Sequence, residues 1–135
     1  MAVSSFASVP ETAYGHIEIR AGHVVAEVPS GPEATEAAVR EYFKDTPVLV
    51  QIARCESRFR HTLSDGSVLR GARDSADLGV MQINTRYHGA RAQNLGFDLH
   101  AFADNLAYAR DLYEREGTGP WNSSAPCWSP TLAKA

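Results

Sequence analysis

The stretch "TPVLVQIARCESRFRH", residues 46–61, decides the fold because it reads as an apolar helix that ends on a carboxylate. Thr46 followed by Pro47 is a start signal, a hydroxyl-bearing cap and then a proline whose fixed φ suits the first helical position. Val48, Ile52, Cys55 and Phe59 recur at i, i+4, i+7 and i+11, and Leu49 and Ala53 widen that stripe. Glu56 lies seven residues after Leu49, at the edge of the buried face. A glutamate on a helix ordinarily points to water. Here partial burial and the negative helix end both disfavour the ionised form, so a raised carboxyl pKa is expected. A general acid working near neutral pH needs that property.

Upstream, "PEATEAAVREYFKD" (32–45) predicts a helix with Pro32 at its first position, acids early, and Ala37, Val39, Tyr42 and Phe43 as the apolar face. Residues 1–31 are weakly patterned. "GHIEIRAGHVVAEV" (15–28) alternates enough for one or two short strands, and "PSGP" (29–32) breaks the pattern. We expect an N-terminal appendage over 1–31 and the domain proper over 32–135.

Downstream, Asp65-Gly66 between short apolar-polar runs signals a hairpin and Gly71 a second bend, so a small antiparallel sheet is expected within 61–79. "VMQINTRYHGARAQNLG" (80–96) reads as short helical turns ending at Gly96. "LHAFADNLAYARDLYEREG" (99–117) is a clear helix with Leu99, Phe102, Leu106, Ala109 and Tyr113 in one stripe and Gly117 as its stop. The tail "TGPWNSSAPCWSP" (118–130) reads as loop, held by Trp121 and Trp128.

At 135 residues, 44% of them hydrophobic, the chain fits one compact domain, expected to be a monomer. The formal charge of −3 gives no global case for nucleic acid. Residues 54–91 are nevertheless locally basic, with Arg54, Arg58, Arg60, Arg70, Arg73, Arg86 and Arg91 against Glu56, Asp65, Asp74 and Asp77. That asymmetry suits an anionic polymer, although scattered ion pairs on a solvated face are its commoner source. No sustained aromatic-basic interleaving accompanies it, so no nucleic acid partner is expected. No apolar run approaches the roughly 20 residues of a spanning helix, and "MAVSSFASVP" lacks a charged segment followed by an apolar block. Neither membrane insertion nor an export signal is expected in the chain as given.

The two cysteines, Cys55 and Cys127, are too few for a disulfide scaffold. Neither stands at zinc-ligand spacing with His16, His23, His61, His88 or His100, so no metal and no cofactor are expected. No local signature supports a cysteine protease. The thiols are either both buried or joined in one disulfide, which at this loop length contributes about 4 kcal/mol and requires an oxidising compartment.

The order is therefore a helix ending in Glu56, a hairpin sheet, "SADLGVMQIN" (75–84), then helices. In this the chain resembles the lysozyme-like superfamily of peptidoglycan-cleaving enzymes. "CESRF" (55–59) looks like the catalytic-Glu motif of bacterial lytic transglycosylases, and "GVMQIN" (79–84) looks like their Gly-aliphatic-Met-Gln-Ile motif. "SADLGVMQIN" also resembles the animal-type lysozyme segment in which an Asp two residues before the Gly is the second catalytic carboxylate, the place of Asp77. "CES" early and "GTGPWNSSAPCW" (117–128) late are similar to the resuscitation-promoting factors, which implies pairing of Cys55 with Cys127. The transglycosylases' late Tyr-Asn motif is absent, and animal-type lysozymes carry more disulfides than two cysteines permit.

The resemblance implies an α+β, mainly α, lysozyme-like fold with a small antiparallel hairpin sheet beside a cleft. It implies cleavage of the β-1,4 bond between N-acetylmuramic acid and N-acetylglucosamine in peptidoglycan glycan strands, by lytic transglycosylation or as a muramidase. The place of action is then extracytoplasmic: periplasm, cell wall or exterior. Glu56 is the expected proton donor and Asp77, near Ser75 in a polar stretch, the expected ionised partner, unless it only caps the following turn. Gln82 and Asn84 offer amides for N-acetyl groups, against ordinary roles as turn residues; Asn105 is similar to a helix Asn common in the transglycosylases, against an N-cap; and Ser75 is a further expected substrate-binding residue. Tyr87 and Trp121 offer faces for sugar rings, against core packing. A glycan-binding or envelope-assembly module without turnover is the alternative on the same fold, and the intact Glu56 argues against it.

Overall fold

The computed structural model describes residues 14–20 and 23–132. An antiparallel hairpin opens it, β1 (Tyr14–Arg20) with β2 (His23–Pro29), its register running from Tyr14 opposite Pro29 to Arg20 opposite His23 with two irregularities between. Then come α1 (Pro32–Tyr42) and α2 (Pro47–Ser57), and a two-residue antiparallel pair, β3 (Asp77–Leu78) with β4 (Ile83–Asn84). The helices α3 (Thr85–Asn94) and α4 (Phe102–Glu116), a 3-10 segment (Gly119–Ser124) and α5 (Ala125–Leu132) complete the order. The chain is mainly helical with small antiparallel sheets, an α+β arrangement.

Helix α2 forms as its stripe requires, with Leu49, Ile52 and Ala53 wholly buried. Thr46 occupies the cap position but its hydroxyl caps nothing; it lies 3.3 Å from Asp45 Oδ1 and accepts from Arg110 instead. Phe59 reaches the core by a different route from the expected fourth stripe position. Arg58 and Phe59 both take left-handed backbone, φ 52° and 59°, so the helix stops at Ser57 and the chain swings Phe59 back inward. That conformation costs roughly 1 kcal/mol or more for each non-glycine residue and is held by the burial of the ring. Glu56 is left in the last helical turn.

On α1 the buried positions are Thr35 and Val39, with Phe43 at the cap; Ala37 is exposed, because Thr35 bonds the Gly31 carbonyl and sets the inward face one turn earlier. In 61–79 the Asp65-Gly66 turn is present, Asp65 Oδ1 accepting from Ser67, yet among the described residues the pairings outside the named strands are the bridges Thr62 with Val68 and Arg70 with Leu78. Residues 64–67 at the turn are all exposed, and although Val68 packs against the core, the short arms pair only through single bridges and do not extend into a sheet. The small sheet is β3–β4, whose first strand falls within that segment and whose second lies beyond it.

Two further expectations are corrected. Residues 85–94 form a regular helix rather than separate turns, because Asn84 Oδ1 accepts from the Arg86 and Tyr87 amides and starts it. The tail is helical rather than loop. Pro120 and Pro126 fall in first turns, where a missing N–H costs little, and only Pro130 interrupts a helix interior. Helix α4 begins at Phe102, leaving Leu99 before it, and buries Phe102, Leu106, Ala109 and Leu112. These meet Trp121, Met81 and Ile83 in one core, each large side chain contributing roughly 1.5–3 kcal/mol.

Candidate functional site

The "GVMQ" turn, residues 79–82, is the part on which the site is built. Gly79 has φ +77°, and a Cβ there would stand 2.5 Å from Asn105 Nδ2 and 2.6 Å from His61 Cε1. Only glycine fits. The Val80 amide donates to His61 Nδ1 at 3.0 Å, and the Met81 amide donates to Asn105 Oδ1 at 3.0 Å. Trp121 Nε1 donates to the Met81 carbonyl at 2.9 Å, and Asn105 Nδ2 donates to the Leu78 and Leu99 carbonyls. Because His61 Nδ1 accepts, its proton is on Nε2, which donates to the His100 carbonyl at 2.8 Å. Burial pushes this imidazole down to about pKa 4, so it is neutral at ordinary pH.

Held in this way, the turn presents Gln82 and then Ile83 and Asn84 to a cavity of about 410 Å³. Glu56 enters that cavity from the end of α2 and Asp77 from β3. Tyr87 and His88 come from α3, Leu112 and Glu116 from α4, and Pro120, Trp121 and Ser123 from the 3-10 segment. Six residues singled out in the sequence thus meet in one place: Glu56, Asp77, Gln82, Asn84, Tyr87 and Trp121. Two do not line it. Ser75 is exposed, its carbonyl accepting from Arg70, because the turn that Asp74 caps carries it outward. Asn105 is wholly buried in the first turn of α4, where its amide holds the turn at Gly79 from behind; it is neither the cap, which is Ala101, nor a wall of the cavity.

Burial is the main cause of a raised Glu56 pKa, with a smaller push from the Asp77 charge; the Ser124 hydroxyl, 2.5 Å from Oε2, pulls the other way. Asp77 Oδ1 accepts from Asn84 Nδ2 at 2.9 Å and caps no turn; Asp74 has that role, its Oδ1 accepting from the Ala76 amide. Asn84 also donates to Asp74 and receives two amides of α3, so its side chain fixes the Asp77 carboxylate rather than standing free. Tyr87, 78% exposed, stands on the rim. Trp121 presents part of a ring that is otherwise core.

Among the described residues no lysine or arginine lines the cavity. The arginines of 54–91 turn elsewhere: Arg86 pairs with Asp74, Arg91 with Asp111, and Arg60 donates to the Ser57 carbonyl. His88 is held below its usual pKa by burial and bonds the Tyr108 hydroxyl. Among the described residues no cluster of three or more His, Cys, Asp or Glu is arranged to hold a metal.

The Cys55 and Cys127 sulfurs are bonded, with Cα atoms 6.0 Å apart, fastening α5 to α2 one residue from Glu56. Sequence reasoning missed His88, Leu112, Glu116, Ser123 and Ser124. Leu112 and Glu116 had a signal, an i, i+4 pair on one helix face. Ser124 had a weaker one: it precedes Cys127 by three residues, and the Cys127 partner adjoins Glu56. No protein-family model matches the chain, and no curated protein or solved structure matches it.

Proposed function

We propose that the chain is a glycosidase-type enzyme of lysozyme-like fold that cleaves the β-1,4 bond between N-acetylmuramic acid and N-acetylglucosamine in peptidoglycan. The observation that carries this is Glu56, a half-buried carboxyl of raised pKa sharing a cavity with a second carboxylate, Asp77. Glu56 delivers its proton to the glycosidic oxygen, the C–O bond breaks with its electron pair leaving on that oxygen, and positive charge develops at the anomeric carbon. Asp77, aimed by Asn84, is the group available to steady that charge or direct a water. Without that help the substrate's own 6-hydroxyl closes an anhydro ring, with Glu56 taking its proton. Gln82 and Tyr87 supply an amide and a ring surface for sugars, while Trp121 backs the cavity as a core residue. The Cys55–Cys127 bond fits an oxidising, extracytoplasmic setting.

Mass analysis of digested cell-wall glycan tests this. Wild type is expected to release muropeptides, anhydro products weighing one water less than hydrolytic ones. Glu56→Gln is expected to lose at least about 100-fold in rate. Full activity in that variant overturns the assignment, and wall binding without any released fragment makes the chain a binding module instead.

A further inference from the structure

Three polar groups converge on Ser124. Its Oγ lies 2.5 Å from Glu56 Oε2, 3.1 Å from the Trp121 carbonyl oxygen and 3.0 Å from Trp128 Nε1. A hydroxyl has one proton to give and two lone pairs with which to accept. The indole N–H of Trp128 only donates; it points at Ser124 Oγ and is shared at 3.2 Å with the Trp121 carbonyl, so it takes one lone pair of the serine oxygen and helps to orient it. The single proton is then left with two acceptors, the Glu56 carboxyl and the Trp121 carbonyl. Both tryptophans are core residues, 2% and 4% exposed, and the disulfide fastens the Glu56 helix end to a point three residues beyond Ser124. The serine oxygen is fixed; its proton is free to turn.

We propose that Ser124 is the positioning residue of the proton donor, a two-state hydroxyl that reverses its hydrogen bond each time Glu56 changes protonation. The proposal rests on Glu56 as proton donor. While Glu56 carries its proton on Oε2, that O–H donates to Ser124 Oγ, and the Ser124 proton points at the Trp121 carbonyl. When the Glu56 proton passes to the glycosidic oxygen, the C–O bond breaks, its electron pair leaves with that oxygen, and Glu56 becomes a carboxylate. The Ser124 proton then turns to Oε2. A proton returned to Glu56 by a water or a sugar hydroxyl resets the pair, and Ser124 itself gains and loses none. Each state of Glu56 keeps a hydrogen bond, and neither requires the side chain to move.

Carbon-13 NMR of the Glu56 carboxyl, titrated in wild type and in Ser124→Ala, tests this without substrate. Losing a charge-assisted hydrogen bond is expected to raise the Glu56 midpoint by about one pH unit in Ser124→Ala, with Ser124→Thr close to wild type. If the alanine variant does not fold, Ser124→Thr and Ser124→Val, alike in bulk and differing in the hydroxyl, make the same comparison. An unchanged midpoint in the variant without a hydroxyl overturns the proposal, as does a threonine variant that follows it. On wall glycan, kcat in Ser124→Ala is expected to fall roughly 10-fold with KM unchanged, and a change confined to KM also overturns the positioning role. A titration shift in a wild-type protein that releases no fragment at any pH supports the coupling and overturns the proposed cleavage.

Discussion

At the residue scale the decisive pair is Glu56 and Asp77, and their neighbours set them apart. Glu56 gains its raised pKa mainly from burial, and the Asp77 charge adds to it. Activity that depends on the protonated Glu56 is therefore expected to fall as pH rises through that elevated value, and a flat profile to about pH 9 would contradict a partly buried acid. Asp77→Asn should keep the bond to Asn84, since an amide oxygen also accepts, while deleting the charge. The alkaline limb is then expected to move to lower pH, by less than about one unit, opposite in direction to Ser124→Ala. A pH-rate profile of both variants checks this; limbs that move together would mean that Asp77 acts on Glu56 through structure and not through charge. Glu56 was legible in the sequence because its position at the edge of a helical stripe already fixes partial burial. The direct role of Ser124 was not, because a side chain in a proline-interrupted tail has no period from which its facing can be read.

At the element scale, what aims the site is a short turn held from behind. Gly79 accepts no Cβ, and His61, Asn105 and Trp121 bond three backbone groups of residues 80 and 81, the two amides and the Met81 carbonyl. Gly79→Ala is expected to lower stability by about 2–4 kcal/mol, measured as a shift in denaturant midpoint, through the forced contact and the strained φ together. A loss under about 0.5 kcal/mol would show that the turn has slack. The disulfide is the second element-scale device, fastening α2 to α5 beside Glu56. No thiol is expected to titrate in denatured, unreduced protein, and reduction is expected to cost about 4 kcal/mol, read from thermal unfolding with and without reductant. Two titratable thiols would remove the bond and with it the oxidising-compartment inference. Helices α1, α2 and α4 were legible because each has an apolar stripe of sufficient length. The tail helix was not, because Pro120, Pro126 and Pro130 are breakers by composition, and only position within a turn makes the first two harmless. The β3–β4 pair, two residues a side, is too short for any alternation to reveal.

At the scale of the whole molecule, the cavity joins parts far apart in sequence, from Glu56 to Ser123. Individual residues announced themselves by motif; which of them share a wall did not. Asn105 illustrates the gap, since a polar residue on a helix reads the same whether it meets a ligand or a buried backbone. The knot it forms with His61 has a consequence for the stability of the entire fold. His61 is 2% exposed and its pKa is lowered from 6.5 to about 4, so the folded protein resists a proton that the unfolded chain accepts. Between those values the unfolded state binds more protons, and stability therefore rises with pH; it is fully present above about 6.5 and is lost as pH falls toward 4. The shift corresponds to about 3 kcal/mol. His88, also lowered, acts in the same direction, while Glu56, raised, acts in the opposite one. Asp45, Asp65 and Asp74, held low by their hydrogen bonds, add their losses only at more acid pH. Urea unfolding from pH 7 to pH 4 is expected to show stability falling with acid, more steeply in Glu56→Gln because the opposing group is gone. His61→Asn is expected to be less stable at pH 7 and flatter across this window. A wild-type slope equal to that of His61→Asn would mean that the imidazole accepts its proton without opening the core, and that the turn at Gly79 is held by Asn105 and Trp121 alone.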